Sequence, residues 1–356
     1  MSEFRQNPIS KAWVLMAPLR GKRPAEYKTY SVMSGVLETD NKCVFCPGQE
    51  SQNVEIGRYV YEDYAIMHKV LDKQQTARVF IPPLRQAVST SQDWELRVIQ
   101  NKFPSLEHTA SYAHKEFYVS AGGAGDHEVI ILRKHNEPVA LQSISTVELS
   151  LRALIQRINI LSQHPETAYV QVFHNHGRDA GASLLHPHYQ LLSLPIVPPH
   201  IHTEIMGCQH YFNLHKSDIY GDIIAEELKI KSRIIHEDEY FVVLCPYASR
   251  KPFELWVLPK RQNSRFEEQT EAEIYHLAFL LKAVLGQLFV KLSDPPLNFY
   301  VHTMPNYRES KTYNEKAFRW HLTIFPRLTI WAGFEYATGI PVNPILPEVS
   351  AQFLKT

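Results

Sequence analysis

Cysteine is scarce in this chain, with four thiols (Cys43, Cys46, Cys208 and Cys245) among 356 residues. That excludes the disulfide-dense scaffold of small secreted domains. An excess of one charge is missing too, since 37 basic side chains are balanced by 37 acidic ones. Neither a polybasic surface nor an acidic tail fits such a balance, so no nucleic-acid partner is expected. Long apolar runs are absent. Met1-Ser2-Glu3-Phe4-Arg5 lacks the apolar core of a signal peptide. Residues 277–290 form the most apolar stretch, but Lys282 and Gln287 interrupt it, and it reads as too short and too polar to span a bilayer. The expectation is a cytoplasmic protein with no membrane partner. What is present is material for burial. At 44% hydrophobic residues, the length allows two ordinary domains or one large core built from two similar halves.

The order of apolar segments favours similar halves. A short strand at Trp13–Met16 precedes a turn carrying Cys43-Val44-Phe45-Cys46-Pro47-Gly48. Strand-like runs follow at residues 95–99, 117–119 and 127–132. The spacing of Val147, Leu149, Leu151, Leu154, Ile155, Ile158 and Leu161 predicts a helix over about residues 146–163, with Ser145 as its N-cap. A strand at 169–173, a glycine-bearing turn at 177–181 and a strand at 186–193 complete the unit. A similar order recurs: strands at 232–235, 240–245 and 254–258, a helix from Glu271 to about Val290, then strands at 298–302 and 320–325. This argues for an α+β fold in two copies, each a mainly antiparallel sheet with one long helix laid across it. The Pro-rich run at 194–199 is the natural linker and divides the chain into residues 1–195 and 196–356.

The chemistry concentrates between Phe173 and Gln190. If residues 186–190 are extended, His186, His188 and Gln190 share one face, while Pro187 and Tyr189 point the other way. Pro187 cannot donate to a ladder, which marks an edge or a strand entry. A nucleophilic histidine needs one ring nitrogen free and the other held by a partner, and His188 is the candidate. Gln190 can donate an amide N–H to a phosphate oxygen, where charge gathers in the transition state. In the preceding turn, Gly177 and Gly181 let backbone N–H groups converge on an anion, and Asn175 and Ser183 add side-chain donors. One histidine on a strand is usually structural. Two histidines and a glutamine alternating directly after such a turn point to a phosphate beside a nucleophile. Cys43 and Cys46 form a C-x-x-C suited to Zn2+, and the Pro47-Gly48 that follows disfavours a redox pair at a helix start. Histidines must complete a tetrahedral site: His186 is one, and His135 or His127 the other. Cys208 and Cys245 read as buried small apolar side chains. His174, His176, His200 and His202 read as loop histidines, the first two close enough to the pocket to touch phosphate.

His186-Pro187-His188-Tyr189-Gln190 is similar to the H-P-H-x-Q motif of the galactose-1-phosphate uridylyltransferase family, within the histidine-triad superfamily. The resemblance runs along nearly the whole chain. Arg5-Gln6-Asn7-Pro8, Trp13-Val14 and Pro18-Leu19-Arg20-Gly21-Lys22-Arg23-Pro24 resemble the family's N-terminal motif, and residues 43–50 resemble its zinc loop. Residues 97–106 resemble its R-V-x-x-N-x-F-P-A-L, and residues 320–328 with Gly333-Phe334-Glu335 and Thr338-Gly339 resemble the end of its bacterial and archaeal branch. The resemblance implies two histidine-triad-like halves, the second contributing to the substrate site and to a homodimer. It implies His188 as the nucleophile that carries the nucleotide and Gln190 as the residue that holds the phosphate. Asn101, Phe103, Asn175, Gly181 and Ser183 would line the nucleotide pocket, and Arg20 and Arg23 would bind phosphates. Cys43, Cys46, His135 and His186 would bind a structural Zn2+, with His127 outside the site as a strand histidine. The implied reaction, a step of galactose metabolism, is ping-pong: a uridylyl group passes from UDP-glucose to His188 and on to galactose 1-phosphate. Three positions depart from the pattern. His135 sits one residue closer to its strand than is usual in the family. Of a second metal site found in some members, Glu204, His302 and His321 are present, but Thr323 replaces the last histidine, so this site is expected to be absent or incomplete. Pro341 stands where a hexose-contacting glutamine is usual, which resembles relatives of the ADP-glucose phosphorylase kind that move an adenylyl group to phosphate. The alternative from another class is a nucleotide-binding protein without catalysis.

Overall fold

The computed structural model describes residues 2–21, 43–59, 94–107, 117–118, 120, 122–306 and 313–355. Along the chain run strands β1 (Glu3–Gln6), β2 (Trp13–Met16), β3 (Glu55–Tyr59), β4 (Leu96–Gln100) and β5 (His127–Leu132), then helix α1 (Ile144–Leu161), β6 (Tyr169–His176) and β7 (His188–Leu194). Helices α2 (Pro199–His215) and α3 (Ile219–Ile230) lead into β8 (Ile234–Glu237), β9 (Phe241–Leu244) and β10 (Leu255–Pro259). The chain ends with α4 (Glu271–Leu292), β11 (Leu297–His302), β12 (His321–Pro326), α5 (Gly333–Thr338), β13 (Val342–Asn343) and α6 (Pro347–Lys355).

Ten strands form one sheet in the order β3-β4-β5-β7-β6-β11-β12-β10-β9-β8. All of its pairings are antiparallel. Read from either edge, the chain order is the same, so two similar five-stranded halves meet at β6 and β11. There His174 pairs with Phe299 and Phe173 with Tyr300. The break read at residue 195 falls between the end of β7 and the start of α2. Both halves nevertheless share one core. On one face, Ile130, Tyr189 and Leu191 of the first half pack with Leu154 and Ile158 of α1, in a cluster continuous with Leu281 and Leu285 of α4 and Leu322 of β12. Arg152 ties the two helices together, 2.6 Å from Glu148 and in contact with Glu271.

The opposite face carries the site. Phe45 packs there on Ile99, Val129 and Ile131, while α2 and α3 cover Val242, Leu244, Trp256 and Leu258 of the second half. A small sheet, β1-β2-β13, joins the first residues to the last, with Leu15 beside Val342.

Local departures from expectation have local causes. The N-cap of α1 is Ser143, not Ser145: the backbone of Ser143 is extended and its hydroxyl accepts from the Thr146 N–H at 3.1 Å, which places Ser145 inside the first turn. Phe117 and Tyr118, expected in a strand, form an exposed bend in which their rings pack edge to face; Val119 lies outside the described residues. Strand β7 begins at His188 rather than His186, since Pro187 offers no N–H to a ladder. Residues 277–290, expected to be too short and too polar to span a bilayer, belong to a 22-residue helix that is long and apolar enough to cross one by length and composition. In this fold Ile274, Leu277, Leu281, Leu285 and Leu288 of that helix are core residues.

Beneath β5, the buried Arg157 guanidinium lies 2.7 Å from Glu128 Oε2 and also contacts Oε1. Removing one member leaves a buried charge uncompensated. Arg157→Ala is therefore expected to cost about 3–5 kcal/mol in urea unfolding. A loss under about 1 kcal/mol would show that water reaches Glu128 in the variant.

Candidate functional site

The site is assembled where β5 and β7 run side by side. Their register sets Ile131 opposite His188 and Val129 opposite Gln190, so His188, Gln190 and Phe45 all lie on the face away from α1. His188 is 5% exposed. Its Nδ1 lies 2.8 Å from the backbone oxygen of His186, which can only accept, so Nδ1 carries the proton and Nε2 keeps its lone pair. Burial pushes its pKa down, with the carbonyl contact opposing, and the ring is favoured in the neutral form. Phe45 packs edge to face on the rings of both His186 and His188, with centroids 5.9 and 5.4 Å away.

Cys43, Cys46, His135 and His186 form one group that could hold a metal ion, their ligand atoms all within 4.8 Å of one another. His186 Nε2 lies 2.5 Å from the Leu132 carbonyl oxygen, which fixes its proton there and turns Nδ1 toward the thiols. Nδ1 is 3.6 Å from Cys43 Sγ and 3.5 Å from Cys46 Sγ, and His135 Nδ1 is 3.2 Å from Cys46 Sγ. A histidine ligand with its second nitrogen bonded to a carbonyl, beside two thiols, fits a closed four-ligand structural centre. His127, the other candidate for fourth ligand, points elsewhere: its Nε2 is 2.9 Å from Gln190 Oε1.

Other expected residues divide. Asn101 lies beside Gln190's partner His127, with Nδ2 3.0 Å from His127 Nε2, and Phe103 next to it is 82% exposed. Asn175 shares the site face with Phe173, and its Oδ1 accepts from Asn298 Nδ2 at 2.7 Å. Gly177 and Gly181 take φ values of 83° and 86°, where glycine is favoured. In the turn the N–H groups of Ala180 and Ala182 bond to the Gly177 carbonyl and that of Gly181 to the Arg178 carbonyl, so these three amides are engaged within the turn. Ser183 is exposed after the turn. Arg20 is exposed in the 3-10 turn Pro18–Arg20 beside the small sheet, and among the described residues no hydrogen bond or ion pair joins it to β7. Arg23 lies outside the described residues.

The four histidines read as loop residues stand on regular elements. His174 and His176 are on β6 and face the helices rather than a phosphate. His174 is buried, stacks on Phe299 and donates from Nδ1 to the His188 carbonyl at 2.7 Å, while His176 Nε2 lies 2.7 Å from Asp294. His200 and His202 are on α2, where His200 precedes Glu204 by about one turn. His200, Glu204 and His302 bring ligand atoms within 4.8 Å of one another, a second group that could hold a cation. His321 Nε2 lies 3.3 Å from Glu204 on the same group's edge. Burial alone would raise the Glu204 carboxyl, but His302 and His321 hold it well below the usual range. A cavity of about 760 Å³ opens over this second group and reaches Arg250, Lys251 and Pro341, whereas His188 and Gln190 do not line it.

Comparison with known proteins agrees with this fold. Residues 88–354 match a family model described as "Domain of unknown function (DUF4921)". The chain is 32% identical to ADP-glucose phosphorylase of Arabidopsis thaliana over 99% of its own length and 92% of that protein. It is 23% identical to galactose-1-phosphate uridylyltransferase of Thermotoga maritima, over 100% of this chain and 98% of the relative. The chain belongs to the galactose-1-phosphate uridylyltransferase family. Members of this family are nucleotidyltransferases. A crystal structure of the Arabidopsis ADP-glucose phosphorylase with bound ADP-glucose superposes with a TM-score of 0.77 at 30% identity, covering 100% of this chain and 99% of that one. The family's two-half α+β fold is thus present here in full.

The donor set makes the metal group testable apart from activity. Co2+ supplied to metal-free protein is expected to give a thiolate charge-transfer band, which the second, sulfur-free group cannot produce. Cys46→Ser is expected to lose the intensity of that band and to lower the melting temperature by several degrees. A band unchanged in Cys46→Ser would remove this residue from the metal group.

Proposed function

We propose that the chain transfers a nucleotidyl group from a nucleoside diphosphate sugar through a covalent adduct on His188 Nε2, with phosphate as acceptor and an adenylyl donor of the ADP-glucose kind. One observation carries the chemistry. The His186 carbonyl holds the proton on Nδ1 and leaves the Nε2 lone pair free, on a side chain that shares its sheet face with Gln190. In the first step that lone pair attacks the α-phosphorus. A nitrogen–phosphorus bond forms, the bond to the β-phosphate oxygen breaks, and hexose 1-phosphate leaves. The ring gains positive charge, which the same carbonyl stabilises through the Nδ1 proton. Gln190 donates to a non-bridging oxygen as the equatorial charge builds. In the second step a phosphate oxygen attacks the adduct and returns the electron pair to Nε2.

The choice of donor rests on likeness. Whole-length identity is 32% to the phosphorylase and 23% to the Thermotoga uridylyltransferase. Pro341 also supplies no amide to a hexose hydroxyl. The uridylyl reading, with UDP-glucose as donor and galactose 1-phosphate as acceptor, is the second candidate, since His188 would act identically in it. Zn2+ is the proposed ion for Cys43, Cys46, His135 and His186, where it would hold the Phe45 loop against the nucleophile. We also propose a homodimer, in which Arg20, exposed beside Leu19 (87% exposed), serves the partner's site.

Incubation with α-labelled ADP-glucose and, separately, UDP-glucose, without acceptor, tests the reading. Label is expected on the protein from ADP-glucose, lost in His188→Asn, and released by added phosphate. Label from UDP-glucose alone would move the assignment to uridylyl transfer. No label from either would leave a nucleotide-binding protein without catalysis.

Mixing His188→Asn with Arg20→Ala chains tests the dimer. Partial recovery of activity in the mixture is expected if Arg20 acts across the interface. A mixture no more active than its parts would show that Arg20 does not act across an interface.

A further inference from the structure

We infer that His127 is a positioning residue that holds the Gln190 carboxamide in the one orientation useful to a phosphate, an inference that rests on the nucleotidyl-transfer reading. His127 opens β5, and the β5–β7 register pairs it with Leu192 and pairs Val129 with Gln190, which makes His127 and Gln190 diagonal neighbours on the site face.

Two contacts, one at each ring nitrogen, agree on the tautomer. The Ser105 backbone N–H lies 3.3 Å from His127 Nδ1 and can only donate, so Nδ1 carries the lone pair and the proton sits on Nε2. Nε2 is 2.9 Å from Gln190 Oε1, and its N–H therefore donates to that oxygen. Burial holds the ring below the ordinary imidazole range and keeps this neutral form. A free carboxamide can turn end for end. Here the bond from His127 fixes the oxygen, and the NH2 group is the end left for a ligand oxygen. Turned round, Gln190 would set a donor against the Nε2 proton and offer its own oxygen to a negatively charged phosphate, both unfavourable.

Asn101 belongs to the same device. Its Oδ1 accepts from the Phe103 N–H at 3.0 Å, which fixes its amide, and its Nδ2 sits 3.0 Å from His127 Nε2. With the proton on Nε2 both atoms are donors, so that contact carries no hydrogen bond and the bond to Gln190 is the one Nε2 makes. Ser105 thus sets the tautomer of His127, and His127 sets the donor on β7. The loop that would meet the nucleotide and the amide that would meet its phosphate are coupled through one imidazole.

A double-mutant cycle on adduct formation tests the role. In single-turnover experiments with the labelled donor, His127→Phe is expected to slow adduct formation about tenfold to a hundredfold, with the donor's dissociation constant changed less than about threefold. In a Gln190→Ala background the same substitution is expected to cost almost nothing, because the amide it orients is gone. A purely structural histidine would cost the same factor in both backgrounds, and that result would overturn the proposal. So would an unchanged rate in His127→Phe. His127→Gln keeps an N–H donor without the ring and guards against misfolding of the Phe variant. It is expected to retain most of the wild-type rate, and loss of the full factor despite a native circular dichroism spectrum would count against positioning. Failure of the wild type to form an adduct from either donor would overturn the functional reading itself and this role with it.

Discussion

The antiparallel ladder between β6 and β11 is the constraint on which the rest of the molecule depends. It makes one ten-stranded sheet of two five-stranded halves, and it settles which face of each half meets the helices. Because side chains alternate along a strand, the pairing of Phe173 with Tyr300 puts both on the site face, and the pairing of His174 with Phe299 puts both against the helices. A slip of one residue would exchange these sets and turn the core of one half toward solvent. The seam therefore fixes the faces, and the faces fix where a phosphate can approach.

Within that frame, three backbone carbonyls decide what three histidines can do. The Leu132 carbonyl holds Nε2 of His186 and frees Nδ1 for the thiols. The His186 carbonyl holds Nδ1 of His188 and frees Nε2. The His188 carbonyl holds Nδ1 of His174, which is buried behind the strand with its pKa pushed down to about 3, chiefly by burial. The same side chain is given to metal, to chemistry or to the core according to which nitrogen the main chain engages. No side-chain carboxylate is needed for any of the three, and the arrangement is set by strand geometry rather than by mobile partners.

Much of this was legible from residues alone. The apolar stripe from Val147 to Leu161 and the apolar run after Glu271 are local signals, and both long helices form where they point. The alternation of His188 and Gln190 survives because it depends only on an extended chain. What was not legible depends on distant segments. α2 buries only Ile201, Glu204, Ile205 and Cys208, too narrow a stripe to announce a helix, and so His200 read as a loop residue. His127 became interpretable only when Ser105, 22 residues earlier, and Gln190, 63 residues later, were seen on either side of its ring. The glycine turn has the composition of an anion nest, and three of its amides, those of Ala180, Gly181 and Ala182, close on carbonyls of the turn itself, a matter of φ and ψ that composition does not encode.

The shared core has a thermodynamic consequence. Leu154 of α1 and Leu281 of α4 belong to one apolar cluster, and Arg152 bridges the helices through Glu148 and Glu271. The molecule is, in effect, a dimer whose interface has been moved inside a single chain. Association no longer depends on concentration, and neither half can open its helix face without exposing the other's. With one continuous core the halves share their stability, so damage in the half without the nucleophile reaches the half that has it as lost stability rather than as altered chemistry.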